Sequence, residues 1–307
     1  MPDTDPTGPA VFARPSSVDF ALIVVAIAGI STSAIFIRKA AAPSFAISFW
    51  RNALASVVLV PIAFLRPSGR RELQRAGKRP IRLAALAGLF LGTHFAVWIP
   101  SLSFTSIASS TALVATQPIW AALIARARGQ HVPRLAAIGI GVAVSGAFVV
   151  TGGDLQVSGR AFGGDVLAVL GGITAAAYVT VSAEARKTLS ANVHTAICFA
   201  SAAAILLIIA VVARTPLVGF SRATWGWILA LTVGAQLLGH AVFNIVLKTT
   251  SATVVSVSIL FEIVGASLLA WAWFDERPPL RFVPAAVLVA AGAVLVVRAG
   301  RVRRRDW

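Results

Sequence analysis

The sequence predicts an all-α membrane protein of ten transmembrane helices, folded as two inverted five-helix repeats. Three observations lead there. The 307 residues are 58% hydrophobic and only 12% charged, with a mean hydropathy of +0.85, whereas soluble domains carry about 25% charged residues. Nearly the whole chain tiles into apolar windows of the roughly 20 residues that a bilayer-spanning helix needs. Sliding the chain along itself by 146 positions brings like residues of the two halves into register. Two soluble domains, the default for this length, would require polar faces that no stretch supplies.

Taken in order, Met1 to Ser17 is polar, contains proline and lacks a basic n-region followed by a cleavable apolar stretch, so residues 1–17 are expected to form a cytoplasmic tail. Apolar windows then fall at about 18–37, 44–65, 81–98, 105–125 and 135–151, giving a first repeat over 18–152. A second series at about 164–183, 192–213, 224–246, 252–273 and 281–298 gives a second repeat over 164–298. A basic tail, 299–307, closes the chain. The single cysteine, Cys198, sits in an apolar run, which excludes an intramolecular disulfide and a structural zinc cluster.

Orientation follows from lysine and arginine, which stay in the cytoplasm when they flank spans. The joint between the second and third spans holds Arg66, Arg70, Arg71, Arg75, Lys78, Arg79 and Arg82, and that between the fourth and fifth holds Arg126, Arg128 and Arg134. The tail adds Arg298, Arg301, Arg303, Arg304 and Arg305. All three fall on one side, so both termini are expected in the cytoplasm of a bacterial-type inner membrane. The basic joint reads as a topology signal that also meets anionic lipid. Trp50, Trp98, Trp225, Trp227, Trp271 and Trp273 lie near the opposite ends of their spans, as in an interfacial aromatic belt. The net charge of +16 therefore belongs to helix ends and loops, and no nucleic-acid partner is expected.

The 146-residue shift places Asp19 on Asp165, Gly88 on Gly234, Leu91 on Leu237, His94 on His240, Ser110 on Ser256 and Gly146 on Gly292, without a gap. Other positions, such as Gly92 on Leu238, do not match. A five-span repeat crosses the membrane an odd number of times, so its second copy enters from the opposite face. Inverted repeats of this kind are typical of secondary transporters, with the substrate site near the midplane between the halves.

Several stretches carry a family resemblance: SFWRNALASVVLVPIAFL early in the first half, SIASSTALVATQPIWAALIA in the fourth span and AAIGIGVAVSGAFVV in the fifth. Their second-half counterparts are SATVVSVSILFEIVGASLLAWAWFDERPPL and AAVLVAAGAVLVV. In order, spacing and duplication the chain resembles the drug/metabolite transporter superfamily, specifically its ten-helix EamA-type exporters, over residues 18–298. The family commonly shows Gly-Glu after the fourth and ninth spans; here Gly129-Gln130 and Asp275-Glu276 stand there, so each copy departs at one position. The resemblance implies export of small metabolites, amino acids prominent among them, with aromatic amino acid exporters as the nearest comparison.

Ionisable groups inside a span are costly and mark functional hypotheses. His94 and Trp98 are four apart on one helix face, and Gln236, His240 and Asn244 form a stripe of the same spacing. As repeat partners, His94 and His240 would face a central path at mirrored depths; the alternative is that each bonds a neighbouring helix backbone. Glu262, with Ser258 on its face, is the one acid deep in an apolar segment. Ionising it there without a partner would cost several kcal/mol, so it reads as a coupling or binding group held neutral or paired, or as a structural one. Arg51, beside Asn52, either snorkels to the headgroups or supplies a counter-charge to a substrate carboxylate. Gln117, on the face of Ser110, and Trp120 would add hydrogen bonds and an aromatic wall, or pack. The runs GLFLG at 88–92 and GIGVAVSG at 139–146 read as close helix packing.

These features point to a carrier for small molecules, with no cofactor expected. A membrane enzyme would require clustered acids, a nucleophile with its base, or a zinc motif, and the eleven Asp and Glu lie nearly all at helix ends. A channel would require a filter loop or a ring of repeated acids. The first span has no deep acid, which argues against the small multidrug type. A lone tyrosine, Tyr178, and scarce fixed charges favour a neutral or zwitterionic solute.

Overall fold

The computed structural model describes residues 16–105, 107–151, 159–275, 277 and 280–299, and all regular structure among them is helical. The tail calls at 1–15 and 300–307, and Glu276 with Pro278 and Pro279 of the ninth-span loop, lie outside the described residues. Eight helices are long and apolar enough to cross a membrane: α1 (Ser17–Ala40), α2 (Ser44–Phe64), α4 (Lys78–Ser101), α8 (Gly159–Arg186), α9 (Ala191–Val212), α10 (Arg222–Val246), α11 (Ala252–Trp273) and α12 (Phe282–Ala299). Between them lie a surface helix, α3 (Pro67–Arg75), two half-length helices, α5 (Ile107–Val114) and α6 (Gln117–Ala127), and α7 (Arg134–Thr151).

Two of the ten expected spans, the fourth and the fifth, are not among these eight. The fourth is split: Ala115 and Thr116 form a turn, and Pro118 in the first turn of α6 is compatible with a helix start but not a helix interior. The fifth is α7, a helix of 18 residues. α11 is interrupted one residue before the position matching the first break, with Leu260 between Ala252–Ile259 and Phe261–Phe274. The sixth span, expected over about 164–183, begins at Gly159 and runs to Arg186.

Serine starts many of these helices by satisfying free amide N–H groups at their N-termini. Ser16 and Asp19 form a reciprocal capping box on α1, at 3.1 and 3.0 Å. Ser190, Ser221 and Ser251 cap α9, α10 and α11 by accepting from Val193, Thr224 and Val254. Outward faces remain apolar, with Val57, Ile208, Val211, Val212, Val283, Val287 and Val294 exposed, which is the pattern of a lipid-facing surface.

Helix packing follows a pseudo-twofold scheme. α2 packs on α9, α7 on α12, and α6 on the start of α11, each pair joining equivalent helices of the two repeats. α4 packs on α8 and α1 on α10, two contacts that interchange when the repeats are swapped. Small residues permit the closest approach, as expected where lipid gives no hydrophobic drive between helices. A Cβ on Gly139 would lie 2.8 Å from Gly292 O, and one on Gly146 2.8 Å from Ala285 O. Those two contacts are themselves related by the 146-residue shift.

Polar links follow the same symmetry. Thr249, between α10 and α11, donates to Asp19 at the start of α1 at 2.7 Å. Thr105, beyond α4, donates to Asp165 at the start of α8, also at 2.7 Å. The first link lies on the face where Glu72 of α3 accepts from the Ser190 N–H and Arg128 meets Glu184 at 3.4 Å. One face thus gathers the basic joint, the loop after α6, the loop after α8 and the start of α1. Aromatic rings crowd the other: Trp227 and Trp273 close on Phe36 with centroids 5.7 and 6.0 Å away, and Trp50 meets Trp225 at 4.9 Å.

Candidate functional site: a chamber between the repeats

A small chamber of about 40 Å³ lies where α1, α4, α8, α10 and α11 meet, lined by His94, Trp98, Gln117, Tyr178, His240 and Glu262 among others. His94 is held by the Gly171 carbonyl of α8, 2.9 Å from Nδ1, and its ring stacks on Trp98 at 5.5 Å and 11°. The i, i+4 spacing on α4 produces that stack. The Trp98 indole N–H is buried and has no hydrogen-bond partner. His240 enters from α10 and sets its ring edge-on to Phe95, at 5.4 Å, and to Tyr178, at 6.0 Å. The two histidines thus share one chamber, and His94 also bonds a neighbouring helix backbone.

The Gln236–His240–Asn244 stripe is corrected in one respect. Thr232–Ala241 is π-helical, so each turn contains more residues than an α-turn and side chains four apart fan out. Gln236 faces α2, His240 faces the chamber, and Asn244 accepts from the Tyr178 hydroxyl at 3.0 Å. Asn244 is fully buried and holds Tyr178 without itself lining the chamber.

Arg51 is fully buried, so its head does not snorkel to the headgroups. Its Nε donates to Gln236 Oε1 at 2.8 Å and Nη1 to Ser33 at 3.4 Å, and its guanidinium lies 4.1 Å from the Phe95 ring centroid. Gln236 in turn donates to Asn52 at 3.0 Å. Arg51 therefore sits one layer behind the chamber wall made by Ser33 and Phe95. Glu262 falls in the first turn after the α11 break and is the one acid in the wall. Gln117 opens the half-helix after the other break. Interrupted helices with their ends at a central site are the common transporter device.

Gln117 donates to Ser256 of α11 at 3.2 Å. Ser256 is the repeat partner of Ser110, which hydrogen-bonds Ser101 at 2.6 Å. Trp120 is turned away from the chamber and donates to Thr116 at 3.0 Å. Sequence reasoning did not single out Ser33 and Phe95. The polar run Ser31-Thr32-Ser33, which interrupts the apolar first span, was the available signal for Ser33; Phe95 had none beyond adjacency to His94. Among the described residues, no group of three or more His, Cys, Asp or Glu is placed to hold a metal ion.

Beside the chamber, toward the basic face, lies a larger cavity of about 110 Å³. The two are stacked along the same helices: Gln117 of α6 faces the chamber, while Ala121, Ala125 and Arg128 on the same helical stripe line the cavity. The Gln117–Ser256 hydrogen bond lies between them.

A search of curated proteins finds no match. A solved crystal structure whose name gives no activity has the same fold, with a TM-score of 0.77 and 18% identity over 95% of this chain and 100% of that one. At that identity the similarity speaks for the fold alone. The model of the EamA-like transporter family matches residues 17–152 and again residues 162–298, one match for each five-helix repeat, and the chain belongs to that family.

Proposed function

We propose that this membrane transporter exports small neutral or zwitterionic metabolites, amino acids and aromatic ones among them, by alternating access through the chamber between its repeats. The observation that carries the reading is the chamber wall. Stacked His94 and Trp98, with Phe95, Tyr178 and His240, offer apolar and aromatic surface. Against it stand one acid, Glu262, suited to an ammonium group, and an unpartnered indole donor on Trp98. A water molecule needs about 10–15 Å³ of such space, so 40 Å³ accommodates only a few; the conformation is a closed one that must open to admit a solute. In this reading the basic face is cytoplasmic, the membrane is a bacterial-type inner membrane, and the chain acts without a cofactor.

Purified protein in liposomes loaded with L-phenylalanine tests it: saturable efflux with counterflow is expected. Product formation without flux would make the chain an enzyme. The same lone acid among aromatic rings also fits a hydrophobic organic cation, which is the second reading. Glu262→Gln separates the two, since a cation that depends on the carboxylate loses transport outright, whereas a zwitterion retains its other contacts. If Glu262 couples export to a proton gradient, the Gln variant keeps exchange and loses stimulation by the gradient. Gradient dependence unchanged from the parent would end the coupling role.

A further inference from the structure

The cavity on the basic face has a chemistry distinct from that of the chamber. Arg128, Lys187 and Lys248 line it against a single acid, Glu184. Glu184 is already engaged, 2.8 Å from Lys187 and 3.4 Å from Arg128, so the wall keeps a positive excess with Lys248 outside that cluster. The N-terminus of α11 opens into it at Ser251, Ala252 and Thr253, and the dipole of that end favours negative charge. A second observation is independent of charge. Thr180 and Thr250, only 9% and 5% exposed, are among the residues lining the cavity, and their buried hydroxyls have no hydrogen-bond partner. Buried hydroxyls left unpaired are costly, and an acceptor seated in the cavity would satisfy both.

We propose that this cavity is a binding subsite for an anionic group, the carboxylate of a solute about to enter the chamber or the phosphate of a lipid headgroup. Arg128, Lys187 and Lys248 supply the attraction, and Thr180, Thr250 and the α11 N-terminus supply the donors. The solute form of the inference rests on the proposed export function; the anion site itself does not.

The test uses the full chain carrying Cys198→Ala and Ala252→Cys in detergent. The anionic 2-sulfonatoethyl and the cationic 2-(trimethylammonio)ethyl methanethiosulfonates compete for the new thiol. With each rate normalised to that for free cysteine, the sulfonate should react faster, and Lys248→Gln should lower the anion-to-cation rate ratio at least about threefold, since one nearby unit charge acts in opposite senses on the two reagents. Two further arms identify the source. Slowing of the labelling by L-phenylalanine, but not by phenylethylamine, which lacks the carboxylate, assigns the site to a solute. Slowing in liposomes containing phosphatidylglycerol, relative to phosphatidylcholine alone, assigns it to a lipid. A ratio favouring the cation, a ratio indifferent to Lys248→Gln, or protection by neither ligand overturns the proposal. Because labelling requires no transport, a chain that labels as expected yet fails to export phenylalanine would sink the proposed solute and leave the site standing.

Discussion

Trp98, in the wall of the chamber, carries a buried donor that nothing in the protein uses. Its ring is fixed by the stack on His94, while its buried N–H has no partner. Trp98→Phe keeps an aromatic ring but removes the donor together with the five-membered ring that bears it, so affinity for a solute that accepts from it should weaken at least about tenfold, the effect of ~1.4 kcal/mol. Binding measured by equilibrium dialysis decides; an unchanged Kd would show that the N–H does not reach the solute. Arg51 presents the reverse case, a charge buried at real expense and held by specific partners. Removing one partner of a charged hydrogen bond costs roughly 1.5–3 kcal/mol. Gln236→Leu, which also deprives Asn52 of its donor, should therefore lower stability by about 2–3 kcal/mol, read as a fall in denaturation midpoint. Arg51→Lys should destabilise too, because an ammonium cannot present the flat guanidinium face that Phe95 receives.

At the level of helices, the α7–α12 pair is governed by what is missing from its glycines. A Cβ on Gly292 would lie 2.4 Å from Gly139 O, a backbone atom that cannot swing aside, whereas nothing lies within 4 Å of one on Gly141. Gly292→Val should separate the pair and cost about 1–3 kcal/mol. Gly141→Ala, on the partner helix α7, should be neutral or stabilise by up to about 1 kcal/mol; melting curves of the two variants in detergent check the contrast. The close small-residue packing behind this difference was legible in the GIGVAVSG run, because small residues at helical spacing have one dominant use in lipid. The 146-residue register likewise located His94 and His240 before any contact was known. Pro118 marked the break between α5 and α6 in plain sight. The break at Leu260 carries no proline, and the π-helical turns around His240, where α10 packs on α1, have no proline either, so neither had a local signature. Partners across the repeats, such as Gly171 for His94 and Gln236 for Arg51, were illegible because periodicity assigns a residue to a face and not to an opposite number.

For the whole molecule, the two Asp–Thr links sit on opposite faces, their aspartates related by the 146-residue shift and their threonines two positions away from it. Loosening one should bias the transporter toward opening on that side. Thr249→Val removes the hydroxyl donated to Asp19 while keeping side-chain volume, and should raise the labelling rate of Ala252→Cys several-fold; Thr105→Val, which frees Asp165, should lower it or leave it unchanged. Equal effects of both variants would show that the links are structural only. The orientation is checked separately in intact cells, where Glu72→Cys in a Cys198→Ala background should resist an impermeant thiol reagent until the membrane is breached. The crossed packing of the repeats also bears on how the protein is made. Arg51 enters the bilayer with α2, but Gln236 is not synthesised until almost two hundred residues later, and His94 likewise precedes its carbonyl acceptor on α8. During translation the first five helices must wait in the membrane with a charge and several polar groups unsatisfied. Their survival at that stage depends on the insertion machinery, or on transient waters, and on how quickly the ribosome delivers the second half.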